Sequence, residues 1–293
     1  MGRYHASLCK NRAMGSRSQD PAPAAAERAP TATLVLSVLS LKGGVGKTSV
    51  VLGLAGAALE HGISTLVVDV DPQANATAAL DPEAAPYSLS DVLHDGRPGV
   101  AGDAVVASCW GEDVHLVPSE RALEHRAAES YPGSEQRLRT SLTGVAAEYE
   151  LVLLDCPPNL GELTRNALYA STRALVVTEP SFFAVQGAAQ AVEAVAVARN
   201  SGRPELRLVG ILATRVRKRF AEHEFRMAEL REAFGASVLP PIPDRTAIQQ
   251  AQGTCMPVQR WRSTSARQAS AAFDALLELV LATSTAPGTE EKL

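Results

Sequence analysis

Short apolar runs recur along the chain, and Ala-rich segments of helical length lie between several of them. The runs rich in Val, Ile and Leu are 33–40, 64–71, 114–119, 150–158, 173–180 and 207–214. Their length and β-branched content predict buried β-strands. Apolar residues at helical spacing predict α-helices at 48–60, 184–200, 219–234 and 266–282. Strands that alternate with helices predict an α/β fold, with a mostly parallel, twisted sheet and helices on both faces.

The composition divides the chain into one long ordered region and two short ends. No break in composition interrupts residues 33–282, so we predict a single domain there. Residues 1–32 are rich in Arg, Ala and Pro and show no periodicity, which predicts a disordered basic tail. Residues 283–293 form an acidic end that we also expect to be flexible.

Charge and cysteine content narrow the class of protein. The formal net charge of −4 argues against a protein that coats nucleic acid through its overall charge. A local basic patch is compatible with this net charge. The four cysteines are scattered without a CxxC pair, which predicts reduced thiols in a cytoplasmic protein and no disulfide framework or zinc site. No apolar run reaches the roughly 18 residues of a membrane span, and the amino terminus lacks the apolar segment of a signal peptide.

A glycine-rich segment follows the first predicted strand directly. Residues 41–49 read LKGGVGKTS. Glycines allow backbone N–H groups to turn toward a phosphate chain, and in this pattern Lys47 reaches the β- and γ-phosphates while the Thr48 hydroxyl binds Mg²⁺. The sequence therefore predicts a single-domain P-loop NTPase. The nucleotide-binding residues of the segment are Lys42, Gly43, Gly44, Val45, Gly46, Lys47, Thr48 and Ser49.

Three aspartates stand at the ends of predicted strands. Asp69 and Asp71 close the second strand, and Asp155 closes the strand at 150–158. A buried carboxylate is costly without a cation or hydrogen-bond donors, so their grouping predicts a Mg²⁺ site beside the phosphates. The chain has no Asn-Lys-x-Asp motif for reading guanine, which favours ATP over GTP.

Several longer segments resemble the ParA/Soj family of chromosome- and plasmid-partition ATPases. In chain order they are KGGVGKT, VVDVDPQANAT, HLVPSERALE, LLDCPPNLGELTRNAL and TEPSFFAVQGAAQAVEAV. The resemblance covers about residues 33–282 and weakens toward the carboxyl terminus. The glycine loop is shared with the larger group that includes MinD and the nitrogenase iron protein, whereas DPQANAT and DCPPNLG are specific to the partition branch.

The resemblance implies a role for a second lysine in the loop. The segment departs from the usual pattern at Leu41, where glycine is expected, and it adds Lys42. In this family the early lysine reaches phosphates bound by the other subunit of a dimer. A second cation then offsets charge on the transferred phosphoryl group only when two protomers close face to face. Hydrolysis is thereby expected to depend on dimerisation.

Further roles follow from the same resemblance. Asp69 and Asp155 correspond to carboxylates that hold Mg²⁺ through water, and Asp71 corresponds to the residue that positions the attacking water. Thr214 and Pro243 fall where the family contacts adenine, although the match there is loose. The catalytic residues implied are Lys42, Lys47 and Asp71.

A basic segment, TRVRKRF at 214–220, supplies candidate DNA contacts. Family members bind DNA without sequence preference as ATP-bound dimers, through phosphate contacts that weaken with salt. The candidate residues are Arg215, Arg217, Lys218, Arg219 and Arg245. In the stretch IPDRTAI, Asp244 and Ala247 stand where the family commonly has arginines. This departure predicts weaker DNA binding, or contacts shifted to Arg260, Arg262 and Arg267.

The sequence thus predicts a cytoplasmic, nucleoid-associated ATPase that dimerises on ATP, binds double-stranded DNA non-specifically and is released after hydrolysis stimulated by a ParB-like partner. Two alternatives stay open, namely a ParA-like ATPase that positions a protein cargo and a MinD-like regulator at a membrane. The second needs a basic amphipathic helix at the carboxyl end, whereas residues 269–293 are apolar and then acidic. A nitrogenase-type reductase needs paired cluster cysteines, and Cys109 and Cys156 lack the expected motifs.

Overall fold

The computed structural model describes residues 33–217 and 219–282. The tails predicted at 1–32 and 283–293 lie outside the described residues, as does Lys218. The strands are β1 (Leu34–Leu39), β2 (Thr65–Asp69), β3 (Val106–Ser108), β4 (Gly111–Val117), β5 (Leu151–Asp155), β6 (Arg173–Thr178) and β7 (Arg207–Ala213). In the described part of the chain they form one sheet of seven strands, in the order β3-β4-β2-β5-β1-β6-β7. The β3–β4 pair is antiparallel and the other pairs are parallel.

Helices follow most of the strands, as expected of βαβ units. They are α1 (Lys47–Glu60), α2 (Asn75–Leu80), α3 (Leu89–Asp95), α4 (Leu123–Ala127), α5 (Arg137–Ser141), α6 (Glu162–Ala170), α7 (Ala184–Asn200), α8 (Ala221–Phe234), α9 (Thr246–Gln252) and α10 (Thr264–Ala282). None of the described helices combines the length and apolar composition that crossing a bilayer needs.

The central strands are buried on both faces because almost all of their side chains are apolar. In β5, Val152 and Leu154 pack into the core on one side of the sheet, while Leu151 and Leu153 pack into the core on the other side. Helices α6 and α7 contribute to the first core, and α1 and α10 contribute to the second. This arrangement confirms the predicted α/β class, the mostly parallel sheet and the helices on both of its faces.

Helices α1 and α10 approach each other closely at Gly53. A Cβ atom on Gly53 would lie 2.3 Å from Cε1 of Phe273, a ring that is fully buried. Glycine therefore lets this ring pack directly on the backbone of α1. The contact fixes the helix that begins at the glycine loop.

Some element boundaries differ from the prediction. The helix predicted at 219–234 begins at Ala221, because Arg219 has a φ of 64° and this left-handed conformation does not continue a helix. The strand predicted at 114–119 begins at Gly111, where β4 pairs with β3. The pattern predicts neither β3 nor the short helices, because each is too short to produce a periodic signal.

Three central strands end side by side at the carboxyl edge of the sheet. Strand β5 lies between β1 and β2, and the register places Asp155 opposite Asp69 and Val38. The segments that follow these strands are therefore neighbours in space although they are far apart in sequence. In open α/β sheets this edge is where ligands bind.

Candidate functional site

The glycine loop, residues 40–46, connects β1 to α1 at the carboxyl edge of the sheet. Gly44 and Gly46 have φ values of 76° and 92°, in the left-handed region that favours glycine. Gly46 directly precedes α1, so the loop leads into the positive end of the helix dipole. Backbone N–H groups at such a helix start form a ready site for an anion.

Lys47 begins α1 and is only 6% exposed. The hydrogen bond found for its ammonium within the described residues is long, 3.5 Å from Nζ to the carbonyl oxygen of Lys42. Burial lowers the pKa of Lys47, and the carboxylate of Asp155 opposes that shift. A bound anion would favour the charged ammonium, so the lysine suits a phosphate ligand.

Asp155 ends β5 with its side chain fully buried. Its Oδ2 accepts a hydrogen bond from Thr48 Oγ1 at 2.7 Å, while its Oδ1 has no partner among the described residues. Burial, and then the neighbouring Asp69, raise the pKa of Asp155 well above its usual range. A hydroxyl beside an unsatisfied carboxylate oxygen fits the oxygen ligands that Mg²⁺ prefers.

The protein does not form a complete cage for a metal ion at this edge. Within the residues that the structure describes, no group of three or more His, Cys, Asp or Glu side chains is arranged to hold a metal ion. Mg²⁺ usually keeps several water ligands and is bound by one or two protein groups together with phosphates. The pair of Thr48 and Asp155 fits that mode of binding.

Asp69 ends β2 and is held by donors from the protein itself. One oxygen, Oδ2, accepts from the backbone N of Thr77 at 2.8 Å and from its Oγ1 at 2.7 Å. The other, Oδ1, accepts from the backbone N of Asp71 at 3.2 Å. Burial raises the pKa of Asp69 to about 6, and the bonds from Thr77 act against that shift. Asp69 thus anchors α2 to the end of β2. Thr77 lies in the segment VVDVDPQANAT, but the sequence predicted no role for it.

Asp71 lies two residues beyond the end of β2 and is 7% exposed. Its Oδ1 accepts from the backbone N of Gln73 at 3.0 Å, and its carbonyl oxygen accepts from Ser119 Oγ at 2.8 Å. Its charge favours the charged form of Lys47, so the two side chains share one electrostatic environment. The segment 70–74 is therefore tied to the loop after β4 while its carboxylate stays close to the phosphate-binding lysine.

Lys42 lies on the exposed side of the glycine loop, with 54% of its side chain accessible. Its Nζ donates to Oε1 of Glu179 at 2.5 Å. The other carboxylate oxygen of Glu179 lies 3.9 Å from a guanidinium nitrogen of Arg215. Glu179, which follows β6, thus links the loop lysine to the basic segment; it lies in the segment TEPSFFAVQGAAQAVEAV, but the sequence predicted no role for it.

A cleft with an empty volume of about 380 Å³ opens beside the glycine loop. Thr214 is buried there, and its Oγ1 donates to the carbonyl oxygens of Val45 and Thr178. The residues that line the cleft are Gly46, Ser49, Val50, Thr214, Arg215, Ile242, Pro243, Asp244, Arg245, Ile248, Gln249 and Phe273. Both residues that the resemblance relates to adenine therefore line one cleft next to the loop.

The basic segment is an irregular connection between β7 and α8. Arg215 and Arg219 have positive φ values of 55° and 64°, and Arg217 donates from Nε to Asp244 Oδ2 at 2.7 Å. Arg245 donates from Nε to Gln268 Oε1 at 2.9 Å and lines the cleft. Of the described candidate DNA residues, Arg215 and Arg245 thus line the cleft, Arg217 is held by the carboxylate of Asp244, and Arg219 is exposed in the same connection as Arg215 and Arg217.

The comparison with family models gives one match, described as an AAA domain, over residues 33–208. A protein named Rv1708 from Mycobacterium tuberculosis is 34% identical over 254 residues, which cover 84% of this chain and 78% of that protein. The chromosome partitioning protein ParA of Caulobacter vibrioides is 33% identical over 234 residues, covering 76% of this chain and 85% of that protein. The sporulation initiation inhibitor protein Soj of Bacillus subtilis is 30% identical over 184 residues, covering 61% and 72%.

Solved structures agree with these sequence relationships. Cobyrinic acid a,c-diamide synthase from Mycobacterium smegmatis, with bound ADP and magnesium, is 29% identical with a TM-score of 0.69, covering 84% of this chain and 95% of that one. A variant of McdA from Cyanothece, in complex with ATP, is 21% identical with a TM-score of 0.74, covering 85% and 96%. The second likeness, at its lower identity, shows the fold alone.

Proposed function

Because the chain belongs to the ParA/Soj family of partition ATPases, with its P-loop NTPase fold, we propose that it is a Mg²⁺-dependent ATPase whose nucleotide state controls DNA binding. In this proposal it forms an ATP-bound dimer on double-stranded DNA and leaves the DNA after hydrolysis. A ParB-like protein stimulates that hydrolysis. The protein would then be found in the cytoplasm, on the nucleoid.

The observation that carries the proposal is the arrangement around Asp155. Its unsatisfied Oδ1, its bond to Thr48 and the buried ammonium of Lys47 lie at the start of α1, below a loop shaped for phosphates. Thr48 and Asp155 would hold Mg²⁺, with Asp69 behind them. The ion would supply positive charge to the phosphate oxygens. Lys47 would bind the β- and γ-phosphates from the other side.

Asp71 is the proposed residue for orienting the attacking water. Its carboxylate is mostly buried and accepts a hydrogen bond from the backbone N of Gln73, while its own carbonyl oxygen accepts one from Ser119 Oγ. A fixed carboxylate near the phosphate-binding lysine suits a group that must hold water in line with a phosphoryl group. Thr214 and Pro243 would contact adenine in the cleft that they line.

Lys42 is the proposed link between hydrolysis and dimerisation. Its side chain is half exposed and pairs with Glu179, whose side chain is 23% exposed; an ion pair that keeps this much contact with solvent is worth about 1 kcal/mol. Such a contact releases the lysine at little cost when another subunit presents a phosphate. Each site would then be completed by Lys42 of the opposite protomer.

The proposed DNA surface comprises Arg215, Arg217, Arg219 and Arg245, with Lys218 beside them in sequence. The first three are exposed and follow β7 in a connection that adjoins the nucleotide cleft. Proximity of the two surfaces supports a change in DNA binding when nucleotide enters. Asp244 pairs with Arg217 and reduces the local positive charge, so moderate and strongly salt-sensitive binding is expected.

The test is binding to random-sequence duplex DNA, with ATP and Mg²⁺ or with ADP and Mg²⁺, across a salt series. We expect binding with ATP only, a logarithmic salt slope that reflects several phosphate contacts, and loss of binding in Arg219→Ala. Arg199→Ala on α7 is the matched control, because it removes an arginine outside the basic segment. Absence of DNA binding at low salt, with an intact ATP-dependent dimer, would contradict the DNA part of the proposal.

A further inference from the structure

Two cysteines from distant parts of the chain meet on the surface. Cys109 lies in the turn between β3 and β4, and Cys255 follows α9. Although 146 positions separate them, Cys109 Sγ donates to the carbonyl oxygen of Cys255 at 3.4 Å. The side chain of one cysteine is therefore in contact with the backbone of the other.

The end of α2 holds both cysteines in place. The backbone N of Cys109 donates to the carbonyl oxygen of Leu80 at 2.8 Å. The next residue, Asp81, accepts a weak hydrogen bond from Cys255 Sγ, with 3.7 Å between Sγ and Oδ2. Since both cysteines contact consecutive residues of a third segment, their proximity is fixed by three independent contacts.

Both sulfurs are present as thiols, and solvent reaches them. Cys109 is exposed and Cys255 is partly exposed, whereas Cys156 is completely buried. An oxidant in solution therefore reaches the first two far more readily than the third. The contact of 3.4 Å between Cys109 Sγ and the carbonyl oxygen of Cys255 places the two residues side by side. A disulfide also requires the Cys255 sulfur to leave Asp81 and turn toward the Cys109 sulfur.

We propose that Cys109 and Cys255 form an intramolecular disulfide when the protein meets a peroxide or a small-molecule disulfide. With hydrogen peroxide, one thiolate attacks the peroxide to give a sulfenic acid and hydroxide, and the hydroxide takes up the proton that the thiol released to become water. The second thiol then displaces hydroxide from that sulfur, so two thiols and one peroxide yield one disulfide and two waters. With a small disulfide, two successive exchanges give the same bond and two small thiols.

The bond would join the β3–β4 turn to the segment after α9. A small cavity lies between these parts, lined by Trp110, Ala251, Gln252 and Met256 among others. Helix α9 also carries Ile248 and Gln249 into the cleft beside the glycine loop. The modification therefore fastens one wall of that cleft to the far edge of the sheet, and it closes a long loop that restricts the unfolded chain.

The experiment treats the full-length wild-type protein with diamide or hydrogen peroxide, blocks the remaining thiols and maps peptides by mass spectrometry without reduction. We expect one peptide pair that joins Cys109 to Cys255 in the monomer, and a thermal midpoint that rises by several degrees and returns on reduction. Cys9→Ser should form the same bond. Cys109→Ser should show no oxidant-dependent rise while matching the reduced wild type in thermal midpoint.

Three results would overturn the proposal. One is the absence of the Cys109–Cys255 peptide pair after full oxidation. Another is a bond found only between two protein molecules. The third is a bond from either residue to Cys9 that replaces the proposed pair.

Discussion

Asp69 is completely buried, yet both of its carboxylate oxygens accept hydrogen bonds. Burial raises its pKa from 3.8 to about 6, so the folded protein holds a proton at this site more tightly than the unfolded chain does. The stability that this proton contributes is present below about pH 4 and is lost as the pH rises through about 6. At pH 7 the loss amounts to about 3 kcal/mol, at roughly 1.4 kcal/mol per pKa unit.

The difference between the pKa of Asp69 in the folded and in the unfolded protein predicts how stability varies with pH when neither nucleotide nor Mg²⁺ is bound. We expect the free energy of unfolding, measured with urea, to fall between about pH 4 and pH 7. Asp155 shifts in the same direction, so Asp69→Asn should reduce the fall without abolishing it. A fall that is equally large in Asp69→Asn would show that the Asp69 carboxylate does not contribute.

The roles of the glycine-loop residues were predictable from sequence, whereas the contacts of Thr77 and Glu179 were not, although both residues lie in segments that carry the family resemblance. Lys47 and Thr48 are recognisable because glycines at fixed offsets precede them. Thr77 reaches Asp69 only because α2 folds back onto the end of β2, and Glu179 reaches Lys42 only because β6 lies next to β1. The first contact depends on how the chain turns after β2, and the second depends on strand order; apolar periodicity contains neither.

Helix α1 depends on the absence of a side chain at Gly53. In Gly53→Ala the added Cβ would lie 2.3 Å from the buried ring of Phe273, so either α10 or the ring must move. Overpacking of this kind costs about 1–3 kcal/mol, and we expect a loss of that size in urea unfolding. Because α1 begins at the glycine loop, we also expect nucleotide affinity to fall.

Gly187→Ala in α7 is the control for that substitution. Nothing lies within 4 Å of the Cβ position at Gly187, so alanine should stabilise this helix by about 0.5–1 kcal/mol. The two substitutions are chemically identical and differ in their surroundings. Equal effects at both positions would contradict a specific packing role for Gly53.

The elements themselves differ in how well the sequence predicts them. Strand β6 follows from a continuous apolar run of strand length, and helix α7 follows from apolar residues at helical spacing over several turns. The sequence does not predict where α8 begins, because residues 219–220 are an arginine and a phenylalanine, which suit a helix as well as a loop. The left-handed backbone conformation of Arg219 decides the boundary, and apolar periodicity does not encode it.

At the scale of the whole molecule, the proposed dimer makes a prediction about mixed subunits. Lys42→Ala and Asp71→Ala should each bind ATP and hydrolyse it at least about 100-fold more slowly than the wild type. Mixed together, an Asp71→Ala subunit provides Lys42 to a partner that has an intact Asp71. In a 1:1 mixture about half of the dimers are mixed and each has one complete site, so about a quarter of the wild-type rate is expected.

The control for this measurement carries both substitutions in one chain. Mixed with Lys42→Ala, that double variant offers no subunit with Lys42, so activity should stay at the basal rate. ATP-dependent mixed dimers detected by crosslinking, with no recovery of hydrolysis in the first mixture, would show that Lys42 acts within its own subunit.

The position of β5 between β1 and β2 has a consequence for synthesis of the protein. A nascent chain that has emerged only as far as residue 150 contains β1, β2 and the complete glycine loop. It lacks β5, the strand that lies between β1 and β2 in the sheet. Its phosphate loop then has no Asp155 opposite Thr48. More than half of the chain must therefore leave the ribosome before the central sheet can close, and the site becomes competent through a late, long-range pairing step.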